Sequence, residues 1–327
     1  MESHVSARLG KLLRSAVREL RRFAYSRPIR PTKGESRPRP RLGLALGGGF
    51  ARGLAHIGVL KVLVENQIPI DALAGTSAGA IAAAAFASGC TIEELTAAAR
   101  RMRWSNLARW TFPRLGFATN ERMEWFLSKV LHCRTFEELK LPLAVVATEV
   151  TTGAAVVFRE GDLMPPLRAS CSFPGLFVPI ELNGRMLVDG AIVSSVPVQA
   201  LRGMDAIVAV HMGVQGLRYR PKNLFEVVGE SFRIVESRNE SAWRDHCDLV
   251  IEPEVAGFRW DDFERADELI EAGEMAARRT LPALRHLIQE RAAGHGMRET
   301  PKARAASPFP YTPQATLWCS KVGSARE

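Results

Sequence analysis

Residues 75–79 read Gly75-Thr76-Ser77-Ala78-Gly79, a G-x-S-x-G pattern set between an apolar run and an alanine-rich one. A serine at a strand-to-helix turn of this kind holds a cramped backbone conformation, and glycines on either side relieve the crowding. Its hydroxyl then stands above the sheet, while the N-terminus of the following helix turns N–H groups and partial positive charge toward the same point. Such a hydroxyl suits a nucleophile whose transition state carries negative charge. Alone the pattern has low specificity, because Gly, Ala and Ser fill many tight turns.

One strand–helix unit upstream lies Gly47-Gly48-Gly49-Phe50-Ala51-Arg52-Gly53. Successive glycines can aim several amides into one concavity, which suits an anion. Two uses compete there: cradling the phosphates of a dinucleotide, or stabilising the oxyanion of an acyl-transfer intermediate. The dinucleotide fingerprint wants G-x-G-x-x-G and an acidic residue about twenty positions on. Here Arg52 intervenes before Gly53, and Glu65 and Asp71 are badly placed to hold a ribose. Together, the two glycine loops favour acyl transfer.

A nucleophilic serine needs a base. The histidines are His4, His56, His132, His211, His246, His286 and His295. Ser77, Asp189 and either His211 or His246 satisfy the Ser…Asp…His order of a triad esterase, yet neither histidine sits in a loop with a catalytic signature. His56 falls within the first helix and reads as a packed, hydrogen-bonded side chain. Asp189 ends the apolar Met186-Leu187-Val188 and leads into Gly190-Ala191. Its carboxylate can serve as a base or cap the next turn, and local sequence favours the cap.

These residues need elements to hold them. Leu42–Leu46, Ile68–Ala74, Leu143–Val150, Ala154–Phe158, Met186–Val188, Ala206–Val210 and Leu249–Glu252 read as strands. Segments near Gly53–Asn66, Ala78–Ser88, Ile92–Arg103, Glu121–Leu131, Leu224–Arg238 and Asp261–Gln289 read as helices. Alternation of the two, with nearly continuous apolar strands, predicts an α/β fold whose sheet is covered on both faces. Ala72 to Ile92 carries no charge over a bilayer's span, but its Ala, Gly and Ser residues bury too little apolar area for insertion.

The chain has 327 residues and a net charge of +9, and the charge is uneven. Residues 1–41 hold twelve Lys/Arg against three Asp/Glu, which leaves 32 of each sign in the remainder. A basic appendage on a formally neutral remainder gives no support to nucleic-acid binding by the body. Within the appendage, Val5, Leu9, Leu12, Leu13, Ala16, Val17, Leu20 and Phe23 recur at helical spacing among arginines. A basic amphipathic helix over residues 5–24 can lie on an anionic membrane surface or dock on the body. Pro28, Pro31, Pro38 and Pro40 make a stiff linker. The predicted organisation is therefore an appendage over 1–41, a catalytic body over 42–290 (core motifs 42–204, helical part 205–290) and a poorly ordered tail over 291–327. Five scattered cysteines without a CxxC pair predict free thiols in a reducing compartment and offer no zinc site.

Taken together, Gly47-Gly48-Gly49-x-x-Arg52-Gly53, Gly75-x-Ser77-x-Gly79 and Asp189-Gly190-Ala191 resemble the patatin-like phospholipase family. Ala169-Ser170-Cys171-Ser172-Phe173-Pro174-Gly175-Leu176-Phe177 resembles the stretch that precedes the family's aspartate, and Asp248–Pro253 with the following helix resembles its bacterial branch. The resemblance implies a three-layer sandwich with a mostly parallel central sheet flanked by helices. It implies a lipid acyl hydrolase with a Ser77–Asp189 dyad, no catalytic histidine, and neither metal nor organic cofactor. An oxyanion hole from the amides of Gly47, Gly48, Gly49 and Phe50 is implied as well, with Gly48 and Gly49 foremost. Arg52, Gly53, Gly75, Gly79 and Gly190 would support the motifs. Phe50 departs from the family, standing where many relatives carry a fourth glycine. The substrates implied are phospholipid or lysophospholipid esters, met by a cytoplasmic protein that touches the membrane peripherally through residues 5–24. Two alternatives stand beside this reading: a triad esterase, and a non-catalytic regulator that binds lipid or protein on the same fold.

Overall fold

The computed structural model describes residues 39–111, 114–213, 220–221, 224–238 and 240–293. The amphipathic stretch at 5–24 and nearly all of the tail lie outside the described residues. In chain order the elements that build the body are β1 (Leu42–Leu46), α1 (Ala55–Glu65), β2 (Ala72–Thr76), α2 (Ala78–Ala87) and α3 (Ile92–Arg101). There follow α4 (Trp104–Leu107), the short pair β3 (Arg109–Trp110) and β4 (Ala118–Thr119), α5 (Glu121–Leu127), β5 (Leu143–Glu149) and β6 (Ala155–Phe158). The chain completes itself with α6 (Met164–Ser170), β7 (Ile180–Leu182), β8 (Arg185–Asp189), β9 (Ala206–Val210), α7 (Leu224–Arg238), α8 (Ser241–Arg244), β10 (Leu249–Ile251) and α9 (Ala266–Ala293).

Strands β10, β9, β1, β2 and β5 run parallel in that order. Antiparallel β6, β8 and β7 complete an eight-stranded sheet. Its two faces differ in residue size, because side chains alternate across a strand. Leu42, Leu44, Leu46, Leu73, Val145, Val208 and Val210 belong to the larger core cluster, with residues of α1, α2, α3 and α9. Ala45, Ala72, Ala74, Ala144 and Ala209 point the other way, toward Val196, Val198, Leu201 and Trp243. Alanines on that face admit a thin layer of short helical turns close to the sheet. The result is a three-layer sandwich with a thick helical layer and a thin one.

Several boundaries differ from the sequence reading: the helix expected over Glu121–Leu131 ends at Leu127, and the one expected from Asp261 starts at Ala266. Ile68 to Asp71 is not strand; β2 starts at Ala72, which pairs with Gly43 of β1. Asp71 is instead a loop anchor, its carboxylate accepting from the Leu42 amide at 2.9 Å and the Arg39 guanidinium at 2.8 Å. The body is thus tied down before residue 42, for Arg41 also bonds Asp205. Helix α9 continues through Ala293, past the predicted edge of the tail at 291.

Candidate active site

Strand register brings the two candidate residues together. β5 carries β6 along one edge, so β2 and β8 share the other. Thr76 at the end of β2 pairs with Val146, and Asp189 at the end of β8 pairs with the next residue, Ala147. The two strands therefore meet nearly end to end, which sets Ser77 against Asp189. Ser77 Oγ donates to Asp189 Oδ2 at 2.7 Å. Both side chains are buried, Ser77 at 6% exposure and Asp189 at 1%.

Ser77 has φ 53° and ψ −125°, a region that L-residues rarely enter, as a tight strand-to-helix elbow requires. Close approach, as well as turn geometry, explains the flanking glycines. A methyl at Gly79 would stand 2.2 Å from the Leu46 carbonyl oxygen, and one at Gly75 2.4 Å from the Ala80 Cα. Gly190 has the same reason: its methyl would meet the Val146 carbonyl oxygen at 2.2 Å.

Asp189 performs both tasks that its local sequence left open. Oδ1 accepts from the Ala191 amide at 2.9 Å and caps the short turn that follows, while Oδ2 accepts the Ser77 hydroxyl. Burial pushes the carboxyl up to about 7, against the opposing pull of the Ala191 and Ser77 hydrogen bonds. A group so poised can take a proton near neutral pH.

The glycine loop is narrower in donors than its sequence implies. The Gly47 amide donates to the Val210 carbonyl and the Gly48 amide to the Ser195 carbonyl, each at 3.0 Å. Those bonds fasten the loop to the end of β9 and to the turn at Ser195, and leave neither amide for a ligand. The amides of Gly49 and Phe50 donate to no recorded protein acceptor among the described residues, and both residues line the cavity that holds Ser77. Phe50, in place of a glycine, holds φ 52°. His56 is fully buried, and burial lowers its pKa to about 4. A neutral imidazole 2.8 Å from the Gly47 carbonyl oxygen must carry its proton on Nε2, so His56 pins the loop. The Arg52 amide donates to Gly49 and the Arg52 side chain lines the cavity, while a methyl at Gly53 would strike Ala78 Cβ at 2.4 Å.

The histidines considered for a triad lie elsewhere. His211 lines the cavity but faces Glu236 at 3.6 Å, Glu240 at 3.7 Å and Glu252 at 3.4 Å, with Trp243 packed beside it. Arg244 also pairs with Glu240 and Glu252, so a cation already answers those two carboxylates. His246 is exposed beyond α8.

Several hydroxyls that sequence reasoning passed over hold the elbow. Ser170 accepts the Ser77 amide at 2.8 Å and donates to the Val146 carbonyl at 2.6 Å. Thr148 donates to the Asp189 carbonyl, and Thr76 to that of Ser194. Single hydroxyls at scattered positions leave no pattern in a sequence. Only the quoted stretch around Ser170 hinted at one of them.

The cavity measures about 600 Å³. Apolar Phe173, Leu176, Ile192 and Trp260 share its wall with charged Arg52, Arg233 and Glu236. It is amphipathic, as an ester with a polar head and an apolar chain requires.

The family described as patatin-like phospholipase matches residues 44–202. An uncharacterized NTE family protein of Mycobacterium tuberculosis is 34% identical over 185 residues, 56% of this chain and 51% of that protein. Lysophospholipase NTE1 of Cryptococcus neoformans is 32% identical over 180 residues, 53% of this chain but 11% of that protein. The chain thus spans about half the length, or less, of these relatives. Among solved structures, VipD from Legionella pneumophila aligns with a TM-score of 0.47 at 14% identity, covering 76% of this chain and 67% of that one. Human GIVD cytosolic phospholipase A2 aligns with a TM-score of 0.43 at 12% identity, covering 84% and 62%.

Proposed function

We propose that the chain, whose residues 44–202 match the family described as patatin-like phospholipase, is a serine acyl hydrolase that cleaves phospholipid or lysophospholipid esters with a Ser77–Asp189 dyad. The observation that carries this reading is the 2.7 Å bond from Ser77 Oγ to Asp189 Oδ2 on the wall of an amphipathic cavity. Ser77 Oγ attacks the ester carbonyl carbon while its proton passes to Asp189 Oδ2. The carbonyl oxygen becomes an oxyanion that accepts from the Gly49 and Phe50 amides, each well-aimed donor being worth about 3 kcal/mol of barrier. As the tetrahedral intermediate collapses, Asp189 returns the proton to the leaving alcohol. Water then attacks the acyl-serine, with Asp189 accepting its proton, and releases the fatty acid. The name of the fungal relative supports a lysophospholipid among the substrates.

Activity-based labelling tests the reading. A fluorophosphonate should modify the wild type at Ser77, while Ser77→Ala loses the label and Asp189→Asn labels at least about a hundredfold more slowly. Persistent labelling of Ser77→Ala excludes Ser77 as the nucleophile. A panel of phospholipid and lysophospholipid esters, given to the wild type, then ranks substrates.

A further inference from the structure

Ser77 stands between two cavities. The larger is the one just described. The smaller, about 90 Å³, runs behind the elbow between α2, α3 and α5. No charged side chain lines it; Ala82, Ala85, Leu95, Ala98, Met102 and Phe126 are typical of its wall. An apolar space of this kind stays dry and receives apolar ligands. Two residues line both cavities: Ser77 and Phe50. Phe50 is therefore the one residue besides the nucleophile that the two cavities share.

Its setting is that of a held partition. The ring packs edge-on against Phe173 at 5.1 Å and Trp260 at 5.5 Å, both on the larger cavity's wall. The next amide, that of Ala51, is fastened to the Trp260 carbonyl at 3.0 Å. The backbone at Phe50 keeps φ 52°, where a glycine would be at ease and a phenylalanine must be held by its surroundings.

We propose that Phe50 is a specificity-determining gate to a second acyl subsite, the apolar pocket behind Ser77. This rests on Ser77 being the nucleophile. An ester bound at Ser77 places its alcohol portion in the larger, partly charged cavity and its acyl chain past Phe50 into the smaller one. The Phe50 ring and the pocket's apolar wall, to which Ala82 and Ala98 contribute, together limit the chain length admitted.

Alkyl fluorophosphonates with chains of four, eight and sixteen carbons test this by their rates of labelling Ser77, read by mass spectrometry. Phe50→Gly removes the partition at a backbone angle glycine accepts, and should raise the sixteen-to-eight-carbon rate ratio about tenfold. Ala98→Leu shortens the pocket and should lower the eight-to-four-carbon ratio by a similar factor. Thermal melts verify that each variant folds; Phe50→Leu and Ala82→Leu replace any that does not, with the same directions expected. Labelling with unchanged ratios in the folded variants overturns the gate while leaving the nucleophile in place. Absence of any label on wild-type Ser77 removes the proposed function and the gate with it.

Discussion

A carboxyl buried as Asp189 is must reconcile two demands. Its deprotonated form is the base, yet burial favours the protonated form and pushes the group up to about 7. Activity should follow: kcat/KM rises with unit slope below about pH 7 and levels above it, as a single ionisation demands. A plateau reaching down to pH 5 in a pH–rate profile contradicts this. Stability should run the other way. The unfolded carboxyl releases its proton near 4 and the folded one near 7, so stability is full below about pH 4 and falls as pH rises between these values. Asp189→Asn removes that loss, since its amide can still accept from Ala191 and donate to Ser77. The variant should melt higher than wild type at pH 8 and close to it at pH 4, with turnover gone. A function that costs stability at one residue is the pattern expected of an active site.

Among the elements, β5 decides most. Its seven buried residues accept β2 and β8 in succession on one edge, and a slip of either strand would part the serine from the aspartate. Tight backbone contacts then lock the pieces, and they make the glycines unequal. Gly79→Ala forces a methyl against the Leu46 carbonyl and should cost at least ~2 kcal/mol in urea unfolding, whereas Gly229→Ala within α7 meets no atom within 4 Å and should stabilise by about 0.5–1 kcal/mol. The same rule governs the crossing of α1 and α9. A methyl at Gly273 would lie 1.9 Å from the Ala55 carbonyl oxygen, and one at Gly58 the same distance from that of Ile270. Equal costs for the Gly79 and Gly229 variants would show that these contacts relax freely.

At the scale of the molecule, a mildly acidic body, with 30 Asp/Glu against 26 Lys/Arg over residues 42–290, carries a basic appendage, and Arg39 and Arg41 mark where the body starts. No helix among the described residues is long and apolar enough to cross a membrane. Removing residues 1–38 should weaken sedimentation with anionic vesicles at low salt while hydrolysis of a soluble ester is retained; undiminished binding contradicts the peripheral-contact reading. What the sequence determined by itself was local. Alternating apolar runs located most strands and helices, and each glycine motif marked a turn, because a glycine excludes few conformations but betrays the sharp ones. Tertiary structure decided whatever depends on two distant segments. Sequence could not show that Asp189 caps its turn and also reaches Ser77, or that Val210 and Ser195 occupy the Gly47 and Gly48 amides. Nor could it reveal that Ser170 props the elbow from 93 residues away. Hydrogen bonds between segments depend on sheet register and layer packing, and chain order carries no record of either.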